Sequence, residues 1–136
     1  MKKCSKPYCL TCPYINERKS VKSGKFNWSI KESVNCDTYN IIYLISCDKY
    51  NCQEKYVGES ERKLRNRLCE HIGYINSKNM KTPTGKHFNQ PGHSVSNLRI
   101  TILEKIKNLN PLYRKEREKY HIRKFNTFYN GMNRMP

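Results

Sequence analysis

One stretch limits the fold more than any other: residues 40–75 read strand, tip, strand and helix with almost no slack between them. The run Ile41, Ile42, Tyr43, Leu44, Ile45 is aliphatic and aromatic and predicts a strand over residues 40–47. A short tip follows, with Cys47 and Cys52 in a C-x4-C pair. Lys55, Tyr56, Val57 and Gly58 read as the returning strand, ended at Gly58, where glycine lets the backbone turn closely. Ser60 then has the place of a helix N-cap. Leu64, Leu68, Ile72 and Ile75 recur at the spacing of one helical face. His71 lies at the edge of that stripe, Arg67 one turn before it, and Cys69 opposite. Packing explains the aliphatic residues. It does not explain two tyrosines, an arginine and a histidine gathered where the strands meet the helix.

Charge narrows the function classes. Lys and Arg number 27 against 11 Asp and Glu, a formal net charge of +16. Such an excess predicts a polyanionic partner, nucleic acid first, because each cation near a phosphate releases condensed counterions. Arg62, Lys63 and Arg65 point away from the helix stripe and are candidates for backbone phosphates. A peripheral membrane protein is the rival for this charge, but no lipidation motif, signal pattern or spanning apolar run is present. The expected setting is intracellular and nuclear. At 36% hydrophobic residues the chain supports one modest core, which a structural metal would help to hold.

The seven cysteines carry ligand-like spacing. Cys4, Cys9 and Cys12 read C-x4-C-x2-C, and Cys36 is the candidate fourth ligand of a zinc knuckle. His87 and His93 flank a Pro91-Gly92 turn and, with Cys47 and Cys52, make a Cys2His2 set for a second structural zinc. Residues 16–35 are basic and read as a linker or arm, with Phe26, Trp28 and Ile30 alternating as a short strand. Residues 76–96 read as loop, and residues 97–106 as a third strand. Asn110-Pro111 opens a second helix by cap and first-turn proline. Glu118 shares a face there with Ile122 and Phe125 and meets the core, either in an ion pair with Arg114 or as a divalent-metal ligand; spacing alone favours the ion pair. The tail turns at Asn130-Gly131, with Asn133 beyond. The fold expected is α+β, a small three-stranded antiparallel sheet flanked by helices. An N-terminal Cys-rich zinc-binding segment (residues 1–35) precedes the main domain (residues 36–136). There is no internal repeat, no phosphate-binding P-loop, no GxGxxG, and no Ser-His-Asp order.

With these motifs placed, the chain resembles a GIY-YIG endonuclease domain. Ile41-Ile42-Tyr43 corresponds to the first family motif, with isoleucine where the family has its first glycine, and Tyr56-Val57-Gly58 to the second. Arg67, His71, Glu118 and Asn133 match the family's helix arginine, the histidine one turn on, the metal-binding glutamate and the late asparagine. Within the family it is most similar to the endonuclease of Penelope-like retroelements, which carry a Cys pair between the tyrosine motifs and a later His pair.

The resemblance implies phosphodiester hydrolysis on DNA with one Mg²⁺ (or Mn²⁺) held by Glu118, leaving 3′-hydroxyl and 5′-phosphate ends. Arg67 would clamp the phosphate, Tyr43 with Tyr56 would act as general base, His71 would relay or orient, and Asn133 would support the site. It also implies a reverse transcriptase as partner in the parent element, primed by the new 3′-hydroxyl. That polymerase is not in this sequence, so the expectation is a separated endonuclease, a fragment or a domesticated remnant. The alternative is a catalytically inactive, zinc-containing nucleic-acid-binding module.

Overall fold

The computed structural model describes residues 1–133. In chain order a hairpin, β1 (Ser20–Ser23) and β2 (Phe26–Ser29), precedes β3 (Ile41–Cys47) and β4 (Lys55–Ser60). Then come α1 (Leu64–Asn76), α2 (Pro83–Phe88), β5 (Leu98–Lys105), α3 (Pro111–Phe125) and α4 (Thr127–Asn130). The main sheet is antiparallel in the order β4-β3-β5. This is the α+β architecture expected, three antiparallel strands flanked by helices.

The central strand is buried on both faces, which is why its sequence is a nearly continuous apolar run. On one face Tyr43, Ile45, Ile100 and Ile102 pack with Leu64, Leu68 and Ile75 of α1 and Phe88 of α2. On the other, Ile42, Leu44, Val57 and Leu103 pack with Phe125 of α3 and with Val21, Phe26 and Trp28 of the hairpin. Each fully buried aliphatic side chain contributes about 1.5–3 kcal/mol over its exposed state. A bulge between Ile42 and Tyr43 lets Leu103 stand unpaired in β5, and it adjoins the strand position that carries Tyr43.

Both edges of the sheet are covered. Ile15 bridges to Ile100 in parallel, and the Asn16 amide donates to the Ile100 carbonyl at 2.9 Å. Along β4, the Met132 amide donates to the Lys55 carbonyl at 2.8 Å. The Asn133 side chain then accepts from the Val57 amide and donates to its carbonyl, each at 2.8 Å. A side-chain amide here completes a strand's pairing, leaving little free edge for a foreign strand.

Several local expectations change. The stretch read as linker or arm with one short strand holds two: β2 lies where Phe26 and Trp28 alternate, β1 pairs with it, and Trp28 Nε1 donates to the Leu103 carbonyl at 2.8 Å. Gly58 does not end its strand; β4 runs on to Ser60. Ser60 does not cap α1, whose N-cap position is Lys63 and has no side-chain cap; the Ser60 hydroxyl instead accepts from the Arg62 amide at 3.0 Å. The stretch read as loop contains α2, whose Thr82 hydroxyl accepts from the Gly85 amide with Pro83 in the first turn. The tail contains α4. Among the described residues no helix is long and apolar enough to cross a membrane.

Asn40 joins three elements. It adopts φ +55°, and its buried Nδ2 donates to the carbonyls of Ile106 (2.7 Å) and Asn108 (3.3 Å). Its Oδ1 accepts from Arg114 Nη1 of α3 at 2.7 Å. Asn40→Ala strands a guanidinium N–H and two carbonyls and puts a Cβ-bearing residue in the left-handed region without compensation. We expect a loss of about 2–4 kcal/mol, read as a lower urea midpoint at unchanged slope; a midpoint shift worth under about 0.5 kcal/mol would contradict this account.

Candidate active site and metal centres

The antiparallel register brings the two tyrosines to one face of the sheet. Tyr43 stands opposite Gly58 and Ile45 opposite Tyr56, so both phenols face α1. Their ring centroids are 6.3 Å apart. Tyr43 is wholly buried, a hydroxyl inside the core that must find partners there. Arg67 Nε donates to its oxygen at 3.0 Å, and His71 Nε2 lies 2.8 Å away. His71 Nδ1 meets the Thr84 hydroxyl of α2 at 2.8 Å. The chain Arg67–Tyr43–His71–Thr84 therefore threads three elements, α1, β3 and α2, into one polar line.

Gly58 explains how the ring fits. A Cβ there would stand 2.4 Å from both Cζ and the hydroxyl oxygen of Tyr43. The glycine of the second tyrosine motif is thus a space requirement of the first tyrosine.

The electrostatics of this line are set by burial. Burial, with the Tyr56 phenol beside it, pushes the Tyr43 phenol well above its usual range, although Arg67 opposes this. Burial raises Tyr56 as well, again against Arg67. His71 is held neutral: burial and the Arg67 charge lower it to about 3, so it does not act as a second cation beside Tyr43. Arg67 is the fixed positive charge of the site.

Glu118 reaches this site from α3, acting electrostatically on Tyr43 and Tyr56. The ion pair with Arg114 does not form. Arg114 Nε instead donates to Glu59 at 2.5 Å, and Lys115 joins it there at 2.5 Å. Every other carboxylate partly removed from solvent has a charged or histidine partner: Asp37, Glu54, Glu59, Glu70 and Glu104. Glu118 has no hydrogen bond or ion pair among the described residues, and burial and the Glu59 charge raise its pKa. A half-buried, unpaired acid with raised pKa, facing two phenols and an arginine, is suited to hold a divalent cation.

Asn133 reaches the site through backbone. By pairing with Val57 it holds the strand segment between Tyr56 and Gly58. Of the three outward cations, Arg62 pairs with Glu70 and Lys63 lies 3.9 Å from Asp37. Arg65 turns inward. Its Nε donates to Asp37 at 2.7 Å, and its Nη atoms lie 3.4 Å from Cys4 Sγ and 3.6 Å from Cys9 Sγ.

Both Cys/His sets assemble. The ligand atoms of Cys4, Cys9, Cys12 and Cys36, and of Cys47, Cys52, His87 and His93, lie within 4.8 Å of one another in each set. In the first, the sulfur separations are 3.6, 3.8 and 3.7 Å. Zinc with tetrahedral thiolates at 2.3 Å requires about 3.8 Å, and a disulfide about 2 Å. Cys9 is lowered to about 6: backbone N–H groups of Cys12 and Thr11 overcome the effect of burial. In the second, Cys52 Sγ and His87 Nε2 are 3.6 Å apart, which is also the separation expected of two ligands on one tetrahedral ion, about 3.6 Å. His87 Nδ1 is 3.4 Å from Glu54, the outer partner that metal-bound histidines usually keep. Both ring nitrogens of His93 are buried with no partner among the described residues, which suits a metal ligand.

Thr84, Gly85, Glu54 and Glu59 escaped the sequence reading. A Thr-Pro pair opening TPTGKHF was the available signal for α2. Nothing local marks Glu59, whose partners come from α3.

The family model of the GIY-YIG catalytic domain matches residues 39–133. No curated protein and no solved structure gives a significant match. The matched span holds the tyrosines, Arg67, His71, Glu118, Asn133 and the Cys2His2 set; the Cys4 set precedes it.

Elemental analysis of purified protein should find two metal ions per chain, one per ligand set, with Cys12→Ser and Cys52→Ser each removing one. Folded protein free of metal would overturn both assignments. Gly58→Ala should displace the Tyr43 ring and cost about 1–3 kcal/mol by overpacking, measured by urea unfolding. An unchanged midpoint would mean that the ring has room the structure does not show.

Proposed function

Because the chain belongs to the GIY-YIG catalytic domain family, a family of nucleases, we propose that it is a divalent-metal-dependent DNA endonuclease that hydrolyses phosphodiester bonds to 3′-hydroxyl and 5′-phosphate ends. The observation that carries this reading is the unpaired Glu118 facing the Arg67–Tyr43–His71 line. Glu118 would hold a Mg²⁺ or Mn²⁺ ion, which would polarise the scissile phosphate and stabilise the leaving 3′ oxygen. Arg67, fixed against Tyr43, neutralises charge that grows on the phosphoryl oxygens.

Proton removal from water falls to the phenols. A free Tyr43 phenolate is disfavoured by burial. Tyr43 therefore takes the water proton as it passes its own to His71 Nε2, staying neutral throughout. The imidazolium so formed is itself disfavoured by burial and by Arg67. Substrate phosphate would provide the compensating negative charge. Tyr56, only partly buried, orients the water beside Tyr43. The net charge of +16 supplies non-specific hold on DNA.

The reading extends to origin. The Cys2His2 set inside the domain and the Cys-rich segment before it, both with the geometry to hold zinc, support a Penelope-like retroelement endonuclease. It would act in the nucleus and leave a 3′-hydroxyl to prime a reverse transcriptase.

Nicking of supercoiled plasmid with and without Mg²⁺ tests the activity. Glu118→Gln should cut the rate by at least about a hundredfold while DNA affinity holds. Tyr43→Phe should lose a comparable factor. Wild-type protein that binds DNA and never nicks it would favour the inactive binding module instead.

A further inference from the structure

Thr84 has no place in the reaction as described, yet it is fully buried and its hydroxyl lies 2.8 Å from a catalytic histidine. We propose that Thr84, presented by α2, is a positioning residue that accepts the Nδ1–H of His71 and so leaves Nε2 bare to accept the Tyr43 proton. The inference rests on the nuclease reading for its consequence in catalysis, but not for the hydrogen-bond direction.

The direction follows from counting hydrogens. Arg67 Nε–H points at the Tyr43 oxygen, so that oxygen already accepts. The phenol hydrogen needs an acceptor inside the core, and His71 Nε2 lies 2.8 Å away with hydrogen-bond geometry. Were Nε2 protonated, the phenol oxygen would face two donors and its own hydrogen would be left to the Tyr56 hydroxyl beside it. The phenol is also a far stronger acid than an aliphatic hydroxyl, and the Arg67 contact strengthens it as a donor. The threonine hydrogen, by contrast, swings about Cβ–Oγ without moving a heavy atom. His71 being neutral, its single proton must then lie on Nδ1, where Thr84 Oγ1 receives it.

Local sequence builds this presentation. The Thr82 hydroxyl caps α2, and Pro83 starts it. Gly85 permits a close pass, since a Cβ there would stand 2.2 Å from the Asn79 carbonyl oxygen. His87, one turn after Thr84, ties the same short helix to the Cys47/Cys52 set.

The test uses ¹⁵N-histidine-labelled full-length protein without DNA. The His71 ring nitrogens should report a single Nδ1–H tautomer in wild type and in Thr84→Ser. In Thr84→Val the tautomer signal should become mixed or reverse. With DNA, Thr84→Val should lower kcat about tenfold or more at unchanged KM, and Thr84→Ser should recover most of it. An Nε2–H tautomer in wild type, or an Nδ1–H tautomer that survives in folded Thr84→Val, overturns the proposal. If Thr84→Val does not fold, the wild-type spectrum alone decides. Absence of nicking by wild type would sink the nuclease reading and leave the tautomer result to judge this one.

Discussion

The buried hydroxyl of Tyr43 is the constraint from which the rest of the domain follows. A phenol at the centre of the central strand costs several kcal/mol of desolvation unless its oxygen and hydrogen are both satisfied. Satisfaction requires a helix close enough to deliver Arg67 and His71 from successive turns, which sets where α1 lies on the sheet. It requires a glycine opposite, which sets the residue at position 58. It requires something behind His71, which α2 provides. One polar atom in the core thus determines strand register, helix position and a glycine at once. The same geometry leaves an arginine, a neutral imidazole and two phenols against the sheet.

The second organising fact is how a chain so rich in cations spends its few acids. Asp37 fixes Arg65 beside the thiol cluster, and its own pKa falls to about 2 there. Glu59 binds Arg114 and Lys115 to β4, and Glu104 holds both Arg117 and His121 under Trp28. Glu59 and Glu104 tie α3 to the sheet, and Asp37 ties α1 to the segment before β3. Against that pattern Glu118 is the exception: among the described residues it has no partner, and a bound cation would offset the cost of burying its charge. Its neighbour Glu59 adds repulsion that a divalent ion would relieve.

Much of this was legible in the sequence, for reasons that can be named. β3 reads as an apolar run and β5 as an alternating strand, Asn110-Pro111 announces α3, and the α1 stripe puts Leu64 and Leu68 inward. The two ligand sets were legible from spacing, because chelation by short Cys pairs needs little else. Features made by distant partners were not legible. Gly58 looked like a terminator because its role depends on Tyr43, fifteen residues away. Arg114 looked like the partner of Glu118 on the same helix, but Glu59 and Asn40, with better geometry, take it. Arg65 looked solvated because the cysteines that receive it lie some sixty residues earlier. The β1–β2 hairpin was obscured by its polar exposed face, and only Val21, Phe26 and Trp28 mark the side that covers the core.

The metal sets and the polar line are not separate systems. Cys47 ends β3, the strand that carries Tyr43, and His87 lies on α2, the helix that carries Thr84. An ion joining Cys47, Cys52, His87 and His93 would therefore clamp the two elements whose separation fixes the distance from Tyr43 to Thr84 across His71. α2 has only six residues, too short to hold its place by its own hydrogen bonds. At the other end, Arg65 leans on Cys4 and Cys9 while Arg67, two residues on, leans on Tyr43. Each ligand set thus lies against one of the helices that meet at His71, and an ion in each would steady them.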